Sequence, residues 1–294
     1  MQALTLSVAP GEIVGIVGES GSGKSTVLRA VAGLLGKGGR VTGGRMLYCG
    51  RGPARGSGKS DGREGVAVGG CDLATLSRKE HASLRGSGLA YVFQDPTASL
   101  DPLFKIGAQF DECLRAHGIA GGDGAAMREL EEGLLREMGF DDPARVLASY
   151  PHGLSGGMCQ RVVLALSIAC EPTLLLADEP TSALDVEAQL QVLDLLVRIR
   201  EERGTAMLVV SHNIAAIARI ADRIGVMRAG ELVELGVCEQ ILRDPRHPYT
   251  RELIAAVPRM EAQGDREALC DHTEHPHCHP ERSEGSHASG NQPH

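Results

Sequence analysis

EIVGIVGESGSGKS, Glu12 to Ser25, is the stretch that decides the fold. Its first six residues are a short apolar run between Pro10-Gly11 and Gly18, the pattern of a buried strand. From Lys24 to Leu35 the periodicity turns helical, with Val27, Leu28, Val31 and Leu34 on one face and Gly36 as the expected stop. Between strand and helix lies G-x-x-x-x-G-K-[ST], which in that setting is a phosphate-binding loop. Gly18, Gly21 and Gly23 let the backbone curl so that its N–H groups point at β- and γ-phosphate oxygens. Lys24 adds a point charge, and the Ser25 hydroxyl is placed for Mg²⁺. A second GSGKS, at Gly56 to Ser60, fails the same test. Six residues before Lys59 stands Pro53 rather than Gly, and neither a strand nor a helical run flanks it.

The remaining composition narrows the class. A chain of 294 residues holds one large α/β domain or two small ones, with a sizeable core. Aromatics at 3% with no Trp leave that core to Leu, Val, Ile and Ala. A formal charge of −8 disfavours a nucleic-acid binder, which usually shows a basic face. No run approaches the ~18–20 apolar residues of a membrane span, and no signal-peptide pattern opens the chain. Eight Cys without a tight framework read as reduced cytosolic thiols.

Along the chain, residues 50–65 (GRGPARGSGKSDGREG) keep Ala54 as their one apolar side chain and read as a solvated loop insertion. GLAYVF, Gly88 to Phe93, is the next expected strand. Residues 97–153 look mostly helical, with helices near 107–117 and 125–138 broken by Gly121-Gly122 and Pro143. RVVLALSIAC continues a helix up to Pro172, and LLLAD returns to strand. Asp185 to Arg203 reads as a long amphipathic helix with Leu190, Leu193, Leu196 and Val197 facing inward. TAMLVVS is a further strand, and RIGVM with ELVEL a hairpin. From Arg259 onward the large apolar residues are Met260 and Leu269, so residues 259–294 are expected to be a disordered, His-rich tail.

Polar residues gather at the expected strand ends. In LLLADE, Asp178 would hold Mg²⁺ through water and Glu179 would orient or deprotonate an attacking water. A strand running into an acidic helix cap looks the same, so this motif alone leaves both readings open. Gln94, after a strand in VFQDP, has a donor and an acceptor for water and Mg²⁺, though a solvated Gln would look no different. His212 ends the strand after the helix of Glu179, where an imidazole reaches a γ-phosphate or serves structure alone. Asp185 in SALD suits a helix N-cap. LSGGMCQR, Leu154 to Arg161, opens a helix about twenty residues before the acidic strand end. Such a turn presents the Ser155 hydroxyl, the Gly156 and Gly157 N–H groups and a helix N-terminus to a γ-phosphate held by another subunit.

Taken in this order, the motifs resemble the ATP-binding subunits of ABC transporters over about residues 3–250. The resemblance implies an α/β P-loop NTPase with a mostly parallel central sheet, a small antiparallel β subdomain and a helical subdomain near 97–160, all within residues 1–258. It makes Gly18 to Thr26 the Walker A motif, so that Glu19, Ser20, Ser22 and Thr26 join the nucleotide-binding set. Gln94 becomes the Q-loop, Leu154 to Gln160 the signature, and Leu174 to Asp178 Walker B. Glu179 becomes the catalytic glutamate, Ser182 to Asp185 the D-loop and His212 the switch histidine. ATP and Mg²⁺ are implied, the ion held by Ser25, Gln94 and Asp178. So are a second ATPase subunit, the same or a related chain, paired head-to-tail around two ATPs, two transmembrane permease subunits and an extracytoplasmic substrate-binding protein. Nucleic acid is not among these partners. The implied place is peripheral, at the cytoplasmic face of the membrane.

Finer wording points to a branch. VFQDPTASLDP, YPHGLSGGMCQR and RHPYTRELIAAVP (Arg246 to Pro258) resemble the dipeptide, oligopeptide and nickel importer group, the last as a short helix docked on the domain. Two departures accompany this. Eleven residues precede Glu12 and none is aromatic, whereas family members add a strand and an aromatic that stacks on adenine. Adenine is therefore expected to be held more loosely, or the true start to lie upstream. The tail offers Cys270 and Cys278, too few for the four-thiolate cluster of some oligopeptide members. Its six histidines (272, 275, 277, 279, 287 and 294) suit adventitious Ni²⁺ or Zn²⁺, or no function. A soluble ABC-type ATPase of DNA repair or translation is the alternative, and it would show fused ATPase domains, a long coiled coil or zinc-binding inserts. A degenerate subunit that binds ATP without splitting it is opposed by intact Lys24, Asp178, Glu179 and His212.

Overall fold

A computed structural model describes residues 4–50, 70–119, 124–182 and 184–256. The second GSGKS, the Gly121-Gly122 break and the tail lie outside the described residues. β1 (Ile13–Val17) passes through the glycine-rich loop into α1 (Lys24–Val31). β2 (Leu47–Tyr48) and β3 (Cys71–Asp72) form a small antiparallel sheet, followed by α2 (Arg78–Leu84). After β4 (Leu89–Val92) come α3 (Pro96–Ser99), α4 (Ile106–Ala116), α5 (Gly124–Glu137), α6 (Pro143–Ala148) and α7 (Gly156–Ile168). β5 (Leu174–Asp178), α8 (Val186–Arg203), β6 (Ala206–Ser211) and α9 (Ile214–Ala218) alternate as βα units. β7 (Arg223–Arg228), β8 (Glu231–Val237), α10 (Cys238–Arg243) and α11 (Pro248–Ala255) complete the described chain.

The main sheet runs β4-β5-β6-β1-β7-β8, parallel throughout except for the β7–β8 hairpin. The inner strands β1, β5 and β6 read as near-continuous apolar runs because helices cover both faces. Alternate residues of β1 show this. Ile13 and Val17 join the core against α7, α8 and α9, while Val14 and Ile16 join Val27 and Leu28 of α1 on the other face. Leu4, Leu6 and Val8 pack on that second cluster, with Thr5 and Ser7 exposed between them. The N-terminal segment thus keeps a strand's alternation without a ladder partner among the described residues.

Local chemistry sets the boundaries. Ser77 and Glu80 form a capping box at α2, and Asp95, Asp142 and Asp185 cap α3, α6 and α8 with their carboxylates. Pro143 therefore starts a helix at its first turn rather than merely ending one. Two expectations need correction. α1 ends at Val31, because Gly33 takes φ 66° two residues on, so the stop is Gly33 and not Gly36. Leu190 does not face inward, being 41% exposed. The buried stripe of α8 is Val192, Leu193, Leu195, Leu196 and Ile199, and Leu190 falls outside that arc.

Candidate functional site

Parallel register brings the chemistry to one edge. Val17 pairs with Ser211, Asp178 with Val210, and Val92 with Ala177. The glycine-rich loop, Gln94, Glu179 and His212 therefore leave the carboxyl ends of β1, β4, β5 and β6 at one level, where open α/β sheets bind ligands. They line a cleft of about 810 Å³ with Ser25 and Thr26.

The loop is held from beneath. Gly21 and Gly23 take φ 82° and 102°, and a side chain at Gly18 would collide with the Met227 carbonyl. Lys24 is buried, its ammonium donating to the Gly18 and Glu19 carbonyls at 2.8 and 2.9 Å. Burial lowers its pKa, partly countered by the charges of Glu179 and Asp178. The Ser22 hydroxyl is buried with no partner among the described residues, an orphaned donor inside the phosphate cradle.

At the end of β5 the two carboxylates part. Asp178 is 1% exposed and accepts from the Ser25 hydroxyl at 2.6 Å and from the Tyr91 phenol at 2.9 Å. The Arg29 guanidinium lies 3.9 Å from it. Burial, then the Asp178 charge, push the Tyr91 pKa up, so the phenol stays a donor. Glu179 has φ 48°, a strained value for a non-glycine residue, and its N–H donates to the Val210 carbonyl at 3.0 Å. That twist aims its carboxylate into the cleft, where one oxygen meets His212 Nδ1 at 3.0 Å and the Gln94 amide at 3.3 Å. A carboxylate shared by an imidazole and an amide can position a water and take its proton. Ser25, Asp178 and the Gln94 amide offer oxygen donors alone, and Ser25 already touches Asp178, so the donor set fits Mg²⁺.

Ser155 to Gly157 sit elsewhere on the surface. Ser155 caps α7, accepting the Met158 N–H at 3.2 Å, and Gly156 and Gly157 form the helix's first positions. They open onto a shallow pocket of about 210 Å³ with Asp185 and Ala188, which shares no lining residue with the cleft. Gly157 has the Ala188 methyl in the way of a larger side chain.

The description "ABC transporter" fits residues 1–182 as a family model, and "Oligopeptide/dipeptide transporter, C-terminal region" fits residues 233–282. The chain belongs to the ABC transporter family. It is similar to the Dipeptide transport ATP-binding protein DppD of Escherichia coli (strain K12), 41% identical over 263 residues, 90% of this chain and 74% of that one. It is also similar to the Oligopeptide transport ATP-binding protein AmiE of Streptococcus pneumoniae serotype 4, 37% identical over 90% of this chain and 69% of that one. Among solved structures, "Dimeric Structure of MJ0796, a Bacterial ABC Transporter Cassette" superposes with a TM-score of 0.64 at 28% identity. That match covers 79% of this chain and 88% of that one. The fold is accordingly the ABC ATPase fold, with its mostly parallel sheet and small antiparallel sheet.

Within this ABC ATPase, sequence reasoning missed two residues at the site. They are Tyr91 and Tyr249, to which the sequence alone assigns no role. Tyr91 braces Asp178, and the one available signal was its place on the strand that leads to Gln94. Tyr249, in RHPYT, accepts the Glu19 N–H at 3.2 Å through its hydroxyl. Its ring is buried under the Arg228 guanidinium, 4.8 Å from the centroid. Glu234 of β8 anchors the same segment by accepting the Arg246 and His247 N–H groups at 2.9 and 3.0 Å. Burial works to raise the Glu234 pKa, but the Thr250 side chain, these two N–H groups and the Gln240 amide outweigh it and hold the carboxyl at about 2.

Proposed function

We propose that this chain binds Mg·ATP in the cleft after β1 and hydrolyses it to energise import of peptides across a membrane. The observation that carries this is Glu179, whose strained backbone presents a carboxylate shared by His212 and Gln94 beside the phosphate loop. Lys24 and the loop N–H groups hold the β- and γ-phosphates, helped by Ser22, whose orphaned hydroxyl lacks an acceptor. Mg²⁺, when bound by Ser25, Asp178 and Gln94, supplies charge neutralisation between those phosphates. Glu179 orients the attacking water and accepts its proton, while His212 and Gln94 fix the carboxylate. Ser155, Gly156 and Gly157 complete the cleft of a second ATPase subunit, which explains a pocket detached from the chain's own cleft.

The peptide assignment draws on the names of the relatives, DppD and AmiE, and on the C-terminal region they share with this chain. It narrows peptides-or-nickel to peptides. Two permease subunits, gripped by the helical region 97–160, and a substrate-binding protein complete the importer. No helix among the described residues is long and apolar enough to cross a membrane, so a peripheral place on the permease accommodates the chain. Residues 1–258 form the ATPase domain in this reading.

Replacing Glu179 by Gln tests the centre. ATP binding should persist, and hydrolysis should fall by about 10²–10⁴-fold. Phosphate release measured at saturating ATP checks it, and an unchanged rate overturns the assignment.

A further inference from the structure

Away from the cleft, three metal-type donors meet where two helices end. Cys113 and His117 are four residues apart at the C-terminal end of α4, on one helix face. Cys170 lies just past the last turn of α7 and is buried. One ligand atom from each, two Sγ and an imidazole nitrogen, all lie within 4.8 Å of one another. The His117 ring rests against the backbone of Gly86, where any side chain would collide with it. Among the described residues the ring has no hydrogen-bond partner, and the Cys113 thiol lies within 4.8 Å of that of Cys170. A restrained imidazole facing two neighbouring thiols has no role in the ATPase chemistry. We propose that Cys113, His117 and Cys170 bind one Zn²⁺ per chain, with the fourth position taken by water.

Donor chemistry selects the ion. Two thiolates and an imidazole favour a soft or borderline cation with tetrahedral geometry, and exclude the oxygen-seeking Mg²⁺ of the cleft. His117 is exposed, so the site opens to solvent on one side and leaves room for the water. Binding releases the two thiol protons to solvent and changes no oxidation state. The ion would tie the end of α4 to the end of α7, whose other end carries Ser155 to Gly157. Zinc would thereby brace the helical region at the helix that presents the signature.

The test uses the full chain, reduced, stripped with a chelator and titrated with Co²⁺ as a spectroscopic stand-in. Cys270 and Cys278, with the tail's histidines, are a second source of ligands, so a C270S/C278S chain is measured in parallel. We expect a thiolate-to-cobalt charge-transfer band saturating at one ion per chain in both proteins and displaced by Zn²⁺. The band should vanish in Cys113→Ser and Cys170→Ser, and affinity should drop at least about tenfold in His117→Gln. Should the serine variants fold poorly, the unaltered chain still decides. Zn²⁺ must then protect Cys113 and Cys170 from alkylation, mapped by peptide mass, while Cys49 stays reactive. A band that survives loss of Cys113 or Cys170 overturns the site, as does one lost with Cys270 and Cys278. So does a chain whose Cys113 and Cys170 alkylate equally fast with and without Zn²⁺.

Discussion

At the residue scale, the hydroxyl of Tyr249 accepts the Glu19 N–H from 230 residues away, so the C-terminal helix holds one edge of the phosphate loop. Tyr249→Phe keeps the buried ring and removes that acceptor. A net hydrogen bond contributes about 0.5–1.5 kcal/mol to the fold, so stability should fall by about that much. The ATP Kd should rise by up to about tenfold because binding must re-order the loosened loop. Titration calorimetry reads both the affinity and its enthalpy. RHPYTRELIAAVP was legible as a docking helix, but no periodicity tells that its Tyr reaches Glu19. Glu131 gives a second test. It is 3% exposed with one oxygen unpartnered, Arg128 lies 3.8 Å from the other, and burial, with the neighbouring Asp111 charge, raises its pKa to about 7. Because the folded pKa exceeds the unfolded value near 4.5, the native state binds the extra proton between them. The contribution of Glu131 is thus fully present below about pH 4.5 and lost as pH rises through about 7. Glu131→Gln should be more stable than the parent at pH 8 by about 1–3 kcal/mol, and the gap should close near pH 5. Thermal melts across that range check the sign.

Among the elements, β1 and α9 depend on a missing side chain. A methyl group at Gly15 would collide with Ile217 and touch Ala221, so α9 lies directly on the strand that feeds the phosphate loop. Gly15→Ala should cost about 1–3 kcal/mol by overpacking. Shortening Ile217 to Ala in the same chain should recover part of it, as a coupling of about 0.5–3 kcal/mol between touching residues. Urea melts of the two single variants and the double variant give the cycle, and strict additivity would sink this account of the contact. The strand EIVGIV announced itself by apolar content, but the need for Gly15 within it is tertiary. The same limit explains α8, where apolar spacing alone placed Leu190 inward and the packing of Val192, Leu195 and Ile199 decided otherwise. By contrast, Gln94, Glu179 and His212 could be grouped from sequence because each ends a parallel strand. Register then carries them to one edge whatever the helices do.

For the whole molecule, each chain carries a cleft built around Lys24 and a separate signature surface at Ser155 to Gly157, with no lining residue in common. Two copies facing head-to-tail would give two complete sites, each drawing its halves from different chains. Variants with complementary lesions should therefore rescue each other. Lys24→Ala leaves the signature intact, and Gly156→Asp leaves the cleft intact. An Asp at the first position of α7 fits sterically, since the nearest foreign atom to a Cβ there is Leu184 Cδ2 at 4.0 Å. It also suits the helix dipole, so the fold should survive while a negative charge faces the γ-phosphate. Each variant alone should be nearly inactive. In an equal mixture about half the dimers pair the two variants, and each of these has one sound site and one doubly damaged site. ATPase activity should then recover to about a quarter of the parent rate. A mixture no faster than its separate components would mean that this chain pairs with a related subunit rather than with itself. Adding that subunit should then restore hydrolysis to only one of the two variants if its own signature or its own phosphate loop is the degenerate one.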